Sequence, residues 1–336
     1  MTLMLALSSH GFGHVAQVAP VVNRLREQTP GCRLLVLTDI PRDWLASWID
    51  GEFDLVGLQT DPGVVMQGPL TVDIDATAAA YRAFERDSDS RLRHLEHIIA
   101  EEAVTLVLAD VPWLPLVAAR RAGCPAVALC SLNWVDILEP LLPPEHTLGP
   151  MLDRLRGAYR EADMFLRPAP AMPMSWLENA RAIGHISRTG HDAREAIISE
   201  LGVDTQCRLA VLQFGGETGS ETIRLPERSD LVWLVAGRAR LCDHCPSANA
   251  VIDRLGLRFV DLVASIDVML TKPGYSSFAE AATHGLPLLS VERKDWPEAP
   301  WLLEWATAHL PVREVSLREL SDGDFGDRLD ELLETP

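Results

Sequence analysis

Lysine is nearly missing from this chain. Of its 30 basic residues, all but Lys272 and Lys294 are arginine. A positive surplus is missing as well: the 336 residues carry 48 acids and a net charge of −18. The imbalance is even, with 13 Arg against 22 acids in residues 1–165 and 17 basic residues against 26 acids in the remainder. Nothing here makes the cationic face that nucleic acid or anionic lipid requires, so neither is expected as a partner. No apolar run reaches the roughly 18 residues of a membrane span, which argues against stable membrane insertion. Thr2–Ser9 lacks the basic flank and cleavage site of an export signal and reads as a first β-strand, so the expected location is cytoplasmic. Six cysteines are too few and too scattered for a disulfide scaffold. Cys32, Cys124 and Cys130 lie in or beside apolar segments and read as core. Cys242-Asp-His-Cys245 is half of a zinc site with no second Cys/His pair at finger spacing. No metal is expected, and the role of Cys242 and Cys245 stays open, as does the oligomeric state.

What the chain has is a repeated alternation of apolar strands, glycine turns and helices. Residues 266–291 show it most clearly. Val268–Leu270 has the length and composition of a buried parallel strand. Lys272-Pro273-Gly274 breaks it, and Ser276 or Ser277 is expected to cap a helix bearing Phe278, Ala281 and Ala282 at helical spacing. Gly285 closes that helix and Pro287 opens the strand Leu288–Val291. Such a unit offers an anion the free N–H groups and positive dipole end of a helix. Glu280, one turn in, is a carboxylate within reach of a ribose diol, or else an ordinary solvated glutamate.

The chain opens in the same way. Leu3–Leu7 is a strand, Ser8-Ser-His-Gly-Phe-Gly-His14 a glycine turn and Val15–Gln28 a helix. The turn lacks the third glycine of a dinucleotide fingerprint and carries imidazoles where a pyrophosphate would need room. A histidine there is either a base over a sheet edge or a capping or core residue. Asp73-Ile-Asp75 has the spacing of metal-dependent sugar transferases, but it precedes a helical pattern over 76–102, which makes Asp75 its N-cap. Thr105–Ala109 is a strand ending in Asp110, at the carboxyl edge where ligands bind in such sheets. Ser131-Leu-Asn133-Trp134 ends the next strand in the same row. Residues 167–175, with three prolines in nine positions, read as a linker. A second glycine loop, Phe214-Gly-Gly-Glu-Thr-Gly219, follows the strand Arg208–Gln213. The chain length suits two domains of roughly 150 residues. The expected division is an N-terminal domain over 1–166, the linker 167–175, a C-terminal domain over 176–316, and a last helix over 317–334. The apolar face of that helix is expected at or near the N-terminal domain.

These motifs resemble a known family. His10-Gly-Phe-Gly-His14 is like the Gly-His turn of GT-B glycosyltransferases of the lipid II-forming, UDP-N-acetylglucosamine-using type, the family 28-like superfamily. The run from Arg258-Phe-Val-Asp through Thr271-Lys-Pro-Gly-Tyr-Ser-Ser-Phe-Ala-Glu280, Gly285-Leu-Pro287 and Arg293-Lys-Asp-Trp-Pro-Glu298 is like their C-terminal signature. The likeness is greater still to a group of glycosyltransferases that includes the N-terminal region of plant L-arabinokinases. It implies an α/β GT-B fold, two Rossmann-like doubly wound parallel sheets facing across a cleft. It further implies transfer of a sugar from a nucleotide sugar, a UDP-sugar, to a small-molecule or glycan hydroxyl, with inversion and with no metal or cofactor.

Residue by residue, the resemblance makes His14 the general base and Asp110 the carboxylate that orients it. It places Gly215, Gly216 and Gly219 against the donor diphosphate, where the helix start read above, with Lys272, Gly274, Ser276 and Ser277, would also neutralise the leaving group. Val260 would meet the uracil, Glu280 the ribose, and Asp295 and Glu298 the donor sugar. His10, Phe12, Asn133 and Trp134 would lie on the acceptor side. Glu217 departs from the pattern, an acid beside a diphosphate, and the basic membrane-docking face of a lipid-acceptor enzyme is missing. Two other readings share these residues: an isomerase of the UDP-sugar 2-epimerase type, which needs no acceptor, and a non-catalytic nucleotide-sugar-binding module.

Overall fold

In the first half of the chain, apolar runs become the strands β1 (Thr2–Leu7), β2 (Arg33–Leu37), β3 (Asp54–Val56), β4 (Leu106–Asp110), β5 (Ala126–Leu129), β6 (Met164–Pro168) and β7 (Ala180–Ile183). They pair in the order β3-β2-β1-β4-β5-β6-β7, every pair parallel. The second half supplies β8 (Arg208–Gln213), β9 (Leu231–Ala236), β10 (Val268–Thr271), β11 (Leu288–Val291) and β12 (Val312–Val315). These are also all parallel, in the order β12-β11-β10-β8-β9. Parallel pairing needs crossovers, and helices supply most of them. This computed structural model describes all residues except Phe12, Pro69, Pro144, Glu145, Thr147, 216–222, 238–244 and 335–336.

The chain divides into two units, each discontinuous in sequence. The first contains Met1–Met66, Val72–Ile186 and Asp295–Glu298, and the second Gln67–Thr71, Ser187–Lys294 and Ala299–Pro336. The division therefore falls after Ile186, and the expected linker 167–175 lies inside the first unit. The reason is that β6 and β7 pair along Phe165–Pro168 and Ala180–Ile183, so the proline-rich stretch is a crossover within one sheet. Its prolines bar a helix there, but Met172, Met174 and Leu177 are buried, which fixes it to the unit.

The last helix also differs from expectation. Residues 317–333 form two helices, Leu317–Asp322 and Gly326–Leu333, broken at Gly323 with φ +78°. Both belong to the second unit. In β8, Leu209 and Val211 face one side of the sheet, where Ile197, Val251, Phe278 and Leu302 cover them. Ala210 and Leu212 face the other side, together with Trp233, Leu270 and Leu289. That second apolar face is covered by Leu320, Phe325, Leu329 and Leu332. The sheet needs both faces covered, and this takes up the apolar side of the final helices.

The helical pattern over 76–102 is two helices, Ile74–Arg86 and Ser88–Glu101, divided at Asp87. Asp73, not Asp75, is the N-cap of the first, accepting from the Ala76 amide at 2.9 Å. Among the described residues no helix is long and apolar enough to cross a membrane.

Candidate functional site

In each sheet the strand order reverses direction at one point, and ligands bind beside the strand ends there. In the first sheet that point lies between β1 and β4, where Leu7 is the register partner of Asp110. The chain leaves β1 into the glycine turn and re-enters helix at Gly13–Gln28, with His14 in the first turn. The His14 imidazole thereby returns to the end of β4, and its Nδ1 lies 3.1 Å from Asp110 Oδ1. A carboxylate can only accept, so Nδ1 carries the shared proton, and in the neutral imidazole Nε2 keeps its lone pair. Asp110 is fully buried and His14 nearly so. Burial opposes the imidazolium, but the facing Asp110 outweighs it, with Asp61 and Glu298 adding to its effect, so the His14 pKa is raised above 6.5. The next residue, Val111, has φ +68°, a left-handed conformation that a β-branched side chain rarely adopts.

A shell of polar and aromatic groups holds the pair. Asp61, at the end of the segment after β3, accepts from Ser8 Oγ at 2.8 Å and from Trp134 Nε1 at 3.0 Å. Burial pushes its carboxyl up to about 6 despite those two donors. His10 lies edge-on to Trp134 and stacked on Trp296, with ring centroids 5.3 and 5.8 Å away. Its Nδ1 accepts from the Val64 amide. Gly63 permits that approach: a Cβ there, already disfavoured at φ +63°, would stand 2.6 Å from His10 Cβ. Glu298 is buried, accepting from Ser131 Oγ at 2.7 Å and Trp296 Nε1 at 3.2 Å. Asp295 accepts from the Val72 amide at 3.2 Å.

The second unit repeats the design. Its reversal point lies between β8 and β10, where Gln213 is the register partner of Thr271. Gln213 Oε1 accepts from Thr271 Oγ1 and Ser277 Oγ, both at 3.2 Å. The helix after β10 runs from Tyr275 to His284 with Gly274 as its N-cap. The expected serine cap is absent: Ser276 and Ser277 lie inside the first turn, and no side chain caps this end. Gly274 is extended there, and its carbonyl accepts from the Phe278 amide. Glu280 is 5% exposed, and its Oε1 stands 3.5 Å from Arg188 Nε. Burial raises its pKa to about 7, only partly offset by Arg188. Val260 is buried in the helix Phe259–Val263, against Gly190, where a Cβ would come within 2.1 Å of the Val260 carbonyl oxygen.

The named residues thus sort unevenly. His14, Asp110, His10, Asn133 and Trp134 all lie in the first unit. Asn133 is the N-cap of Trp134–Leu141, its Oδ1 accepting from the Val135 and Asp136 amides. Gly215, Val260, Lys272, Gly274, Ser276, Ser277 and Glu280 belong to the second unit, while Asp295 and Glu298 are counted with the first. Phe12, Gly216, Glu217, Gly219 and Cys242 lie outside the described residues. The other lysine, Lys294, is exposed and pairs with Glu292 at 3.0 Å. Asp61, Arg188 and Gln213 did not stand out in the sequence. Asp61 had a signal, a lone acid before Pro-Gly in the segment after β3, whereas Arg188 had none.

No family model matches the chain. It is similar to the L-arabinokinase of Arabidopsis thaliana, 25% identical over 330 residues, which cover 95% of this chain but only 31% of that protein. The chain thus spans about a third of the length of this relative. Among solved structures it resembles the spinosyn forosaminyltransferase SpnP at a TM-score of 0.63 and 15% identity, covering 99% of this chain and 90% of that one. A protein described as a UDP-N-acetylglucosamine 2-epimerase from Listeria monocytogenes matches at a TM-score of 0.58 and 15% identity, covering 99% and 88%. The fold is GT-B, with two Rossmann-like parallel-sheet units.

Proposed function

We propose that this chain is a glycosyltransferase that moves a sugar from a UDP-sugar to a hydroxyl of a small-molecule or glycan acceptor, with inversion and without a metal. The observation that carries the reading is the contact of His14 Nδ1 with Asp110 at the reversal point of the first sheet. With Nδ1 occupied, Nε2 takes the acceptor proton while the acceptor oxygen attacks the anomeric carbon. The bond from that carbon to the donor diphosphate breaks, and UDP leaves. Asp110 holds the imidazole in the accepting tautomer and stabilises the imidazolium that forms. The direct displacement needs one base and no covalent intermediate, which gives inversion. In the second unit, the Tyr275–His284 helix start, Lys272 and Gly215 are suited to the diphosphate and Glu280 to the ribose. The 31% span of the L-arabinokinase match brings none of that protein's kinase activity to this chain.

The test is a thermal-shift panel of nucleotide sugars, followed by turnover assays with candidate acceptors. The expected result is a melting point raised by UDP-sugars, unaffected by EDTA, and UDP release that requires an acceptor, with the product anomer inverted. Conversion of the sugar with no acceptor present would make the protein an isomerase. A donor that binds yet stays intact with every acceptor and with water would make it a binding module.

A further inference from the structure

Cys130 closes the His14–Asp110 pair into a three-sided cluster. It follows β5, next to β4 in the sheet, so its thiol reaches the same strand edge, with Sγ 3.9 Å from His14 Nδ1. The donor atoms of His14, Asp110 and Cys130 all lie within 4.8 Å of one another. A Cys-His-Asp nucleophile arrangement does not account for the cluster. In such a triad the thiol and the carboxylate sit on opposite ring nitrogens. Here both address Nδ1. Burial, with Asp110 close by, also holds the Cys130 thiol well above its ordinary pKa, in its neutral form.

Two features fit a cation instead. The first is the donor set: imidazole nitrogen, carboxylate and sulfur together suit a borderline-soft divalent ion. Tetrahedral zinc distances place ligand atoms about 3.4–3.7 Å apart, so the observed 3.1 and 3.9 Å would change by a few tenths of an ångström, and the Asp110–Cys130 side, which lies within 4.8 Å, would close by at most about 1 Å. The second is Asp110 Oδ2, which is buried and has no hydrogen-bond partner among the described residues. A buried carboxylate oxygen without a donor is unfavourable, and a cation beside it removes the penalty. His14 is the one member of the cluster with measurable exposure, so an ion would enter past the imidazole.

We propose that His14 Nδ1, Asp110 and Cys130 Sγ form a three-ligand site for a thiophilic divalent cation such as Zn²⁺, leaving a fourth position for water. On binding, the Cys130 thiol releases its proton to solvent, and the imidazole presents its Nδ1 lone pair with its proton moved to Nε2. That tautomer is the reverse of the one that accepts a proton at Nε2. In so far as the transferase reading holds, the ion is an inhibitor of the base and not its cofactor.

The test measures binding directly and needs no turnover. Metal-stripped protein is titrated with Zn²⁺ by calorimetry in buffers of different ionisation enthalpy, and with Co²⁺ by absorption. The expected result is one ion per chain, proton release, and a thiolate-to-cobalt charge-transfer band. Cys130→Ser should lose the band and weaken Zn²⁺ binding by about tenfold or more. Cys130→Ala should do the same, and the melting points of both variants without metal show that they fold. Zn²⁺ binding unchanged in both folded variants, a band that persists in them, or no stoichiometric binding by the wild-type chain would overturn the site.

Discussion

Leu7 and Asp110 end neighbouring strands as register partners, and the turn that begins at Ser8 brings His14 back onto the Asp110 carboxylate. The contact between His14 and Asp110 is thus fixed by sheet topology and not by a flexible loop. His14→Ala should leave the fold and UDP-sugar binding intact while lowering turnover by roughly 10²–10⁴. Asp110→Asn should lower it less, because it keeps the base and loses only its orientation and charge support. Rate measurements at saturating donor, with melting points and donor affinities beside them, check both. Wild-type turnover in His14→Ala would remove the base assignment.

With His14 as the proposed base, its raised pKa sets the expected pH dependence. The base must be neutral to accept a proton, so turnover should rise with pH, with its midpoint above the ordinary 6.5. Removing the Asp110 charge should move that midpoint down, since the carboxylate is the main cause of the rise. For stability the sign is opposite. The charged pair contributes fully below pH 6.5, and that contribution is lost as pH climbs through the folded-state pKa. A pH–rate profile and a pH series of melting points report the two effects separately.

Glu280 offers a contrast in the second unit. Its carboxyl is raised from 4.5 to about 7, so its effect on stability is most favourable below pH 4.5 and declines as pH rises through about 7. Glu280→Gln should therefore hold its melting point better than the wild type at pH 8. If the carboxylate bonds a buried ribose diol, the same change should weaken UDP binding by about 1–3 kcal/mol. Calorimetry reads the affinity. A variant that binds UDP as tightly as the wild type would take Glu280 out of the nucleotide site.

Gly190 tests the support beneath Val260. An added Cβ would stand 2.1 Å from the Val260 carbonyl oxygen, and backbone cannot step aside as a flexible side chain can. Gly190→Ala should cost about 1–3 kcal/mol of stability by overpacking. It should also displace the Phe259–Val263 helix and weaken UDP binding if Val260 meets the uracil. Denaturant unfolding and UDP titration of the same sample measure the two effects.

The sequence made the strand ends legible because their marks are local: an apolar run, a glycine turn, then helical spacing. That sufficed to bring His14 and Asp110 to one sheet edge and to set Lys272–Glu280 at another. Properties that depend on distant chain were not legible. The prolines of 167–175 break a helix whether the segment joins two domains or crosses over within one, and only the pairing of β6 with β7 decides which. The apolar face of 317–333 shows that something must be covered, but not which sheet face is bare. β7 and β12 have four residues each and alternate weakly, too little for a periodic signal. Asp61, Cys130 and Glu298 come to His14 from separate loops, so their proximity leaves no spacing in the sequence to read.

Residues 295–298 belong with the first unit although they are encoded deep in the second half. A chimera made by joining this chain to another at Ile186 would therefore exchange more than one half. Ser131 Oγ, the Val72 amide and the His10 ring would all meet foreign partners in place of Glu298, Asp295 and Trp296. A graft that keeps those four residues with the N-terminal half, and 67–71 with the C-terminal half, preserves both inventories of contacts. For recombination, the natural seam is a patchwork of five junctions and not a single cut.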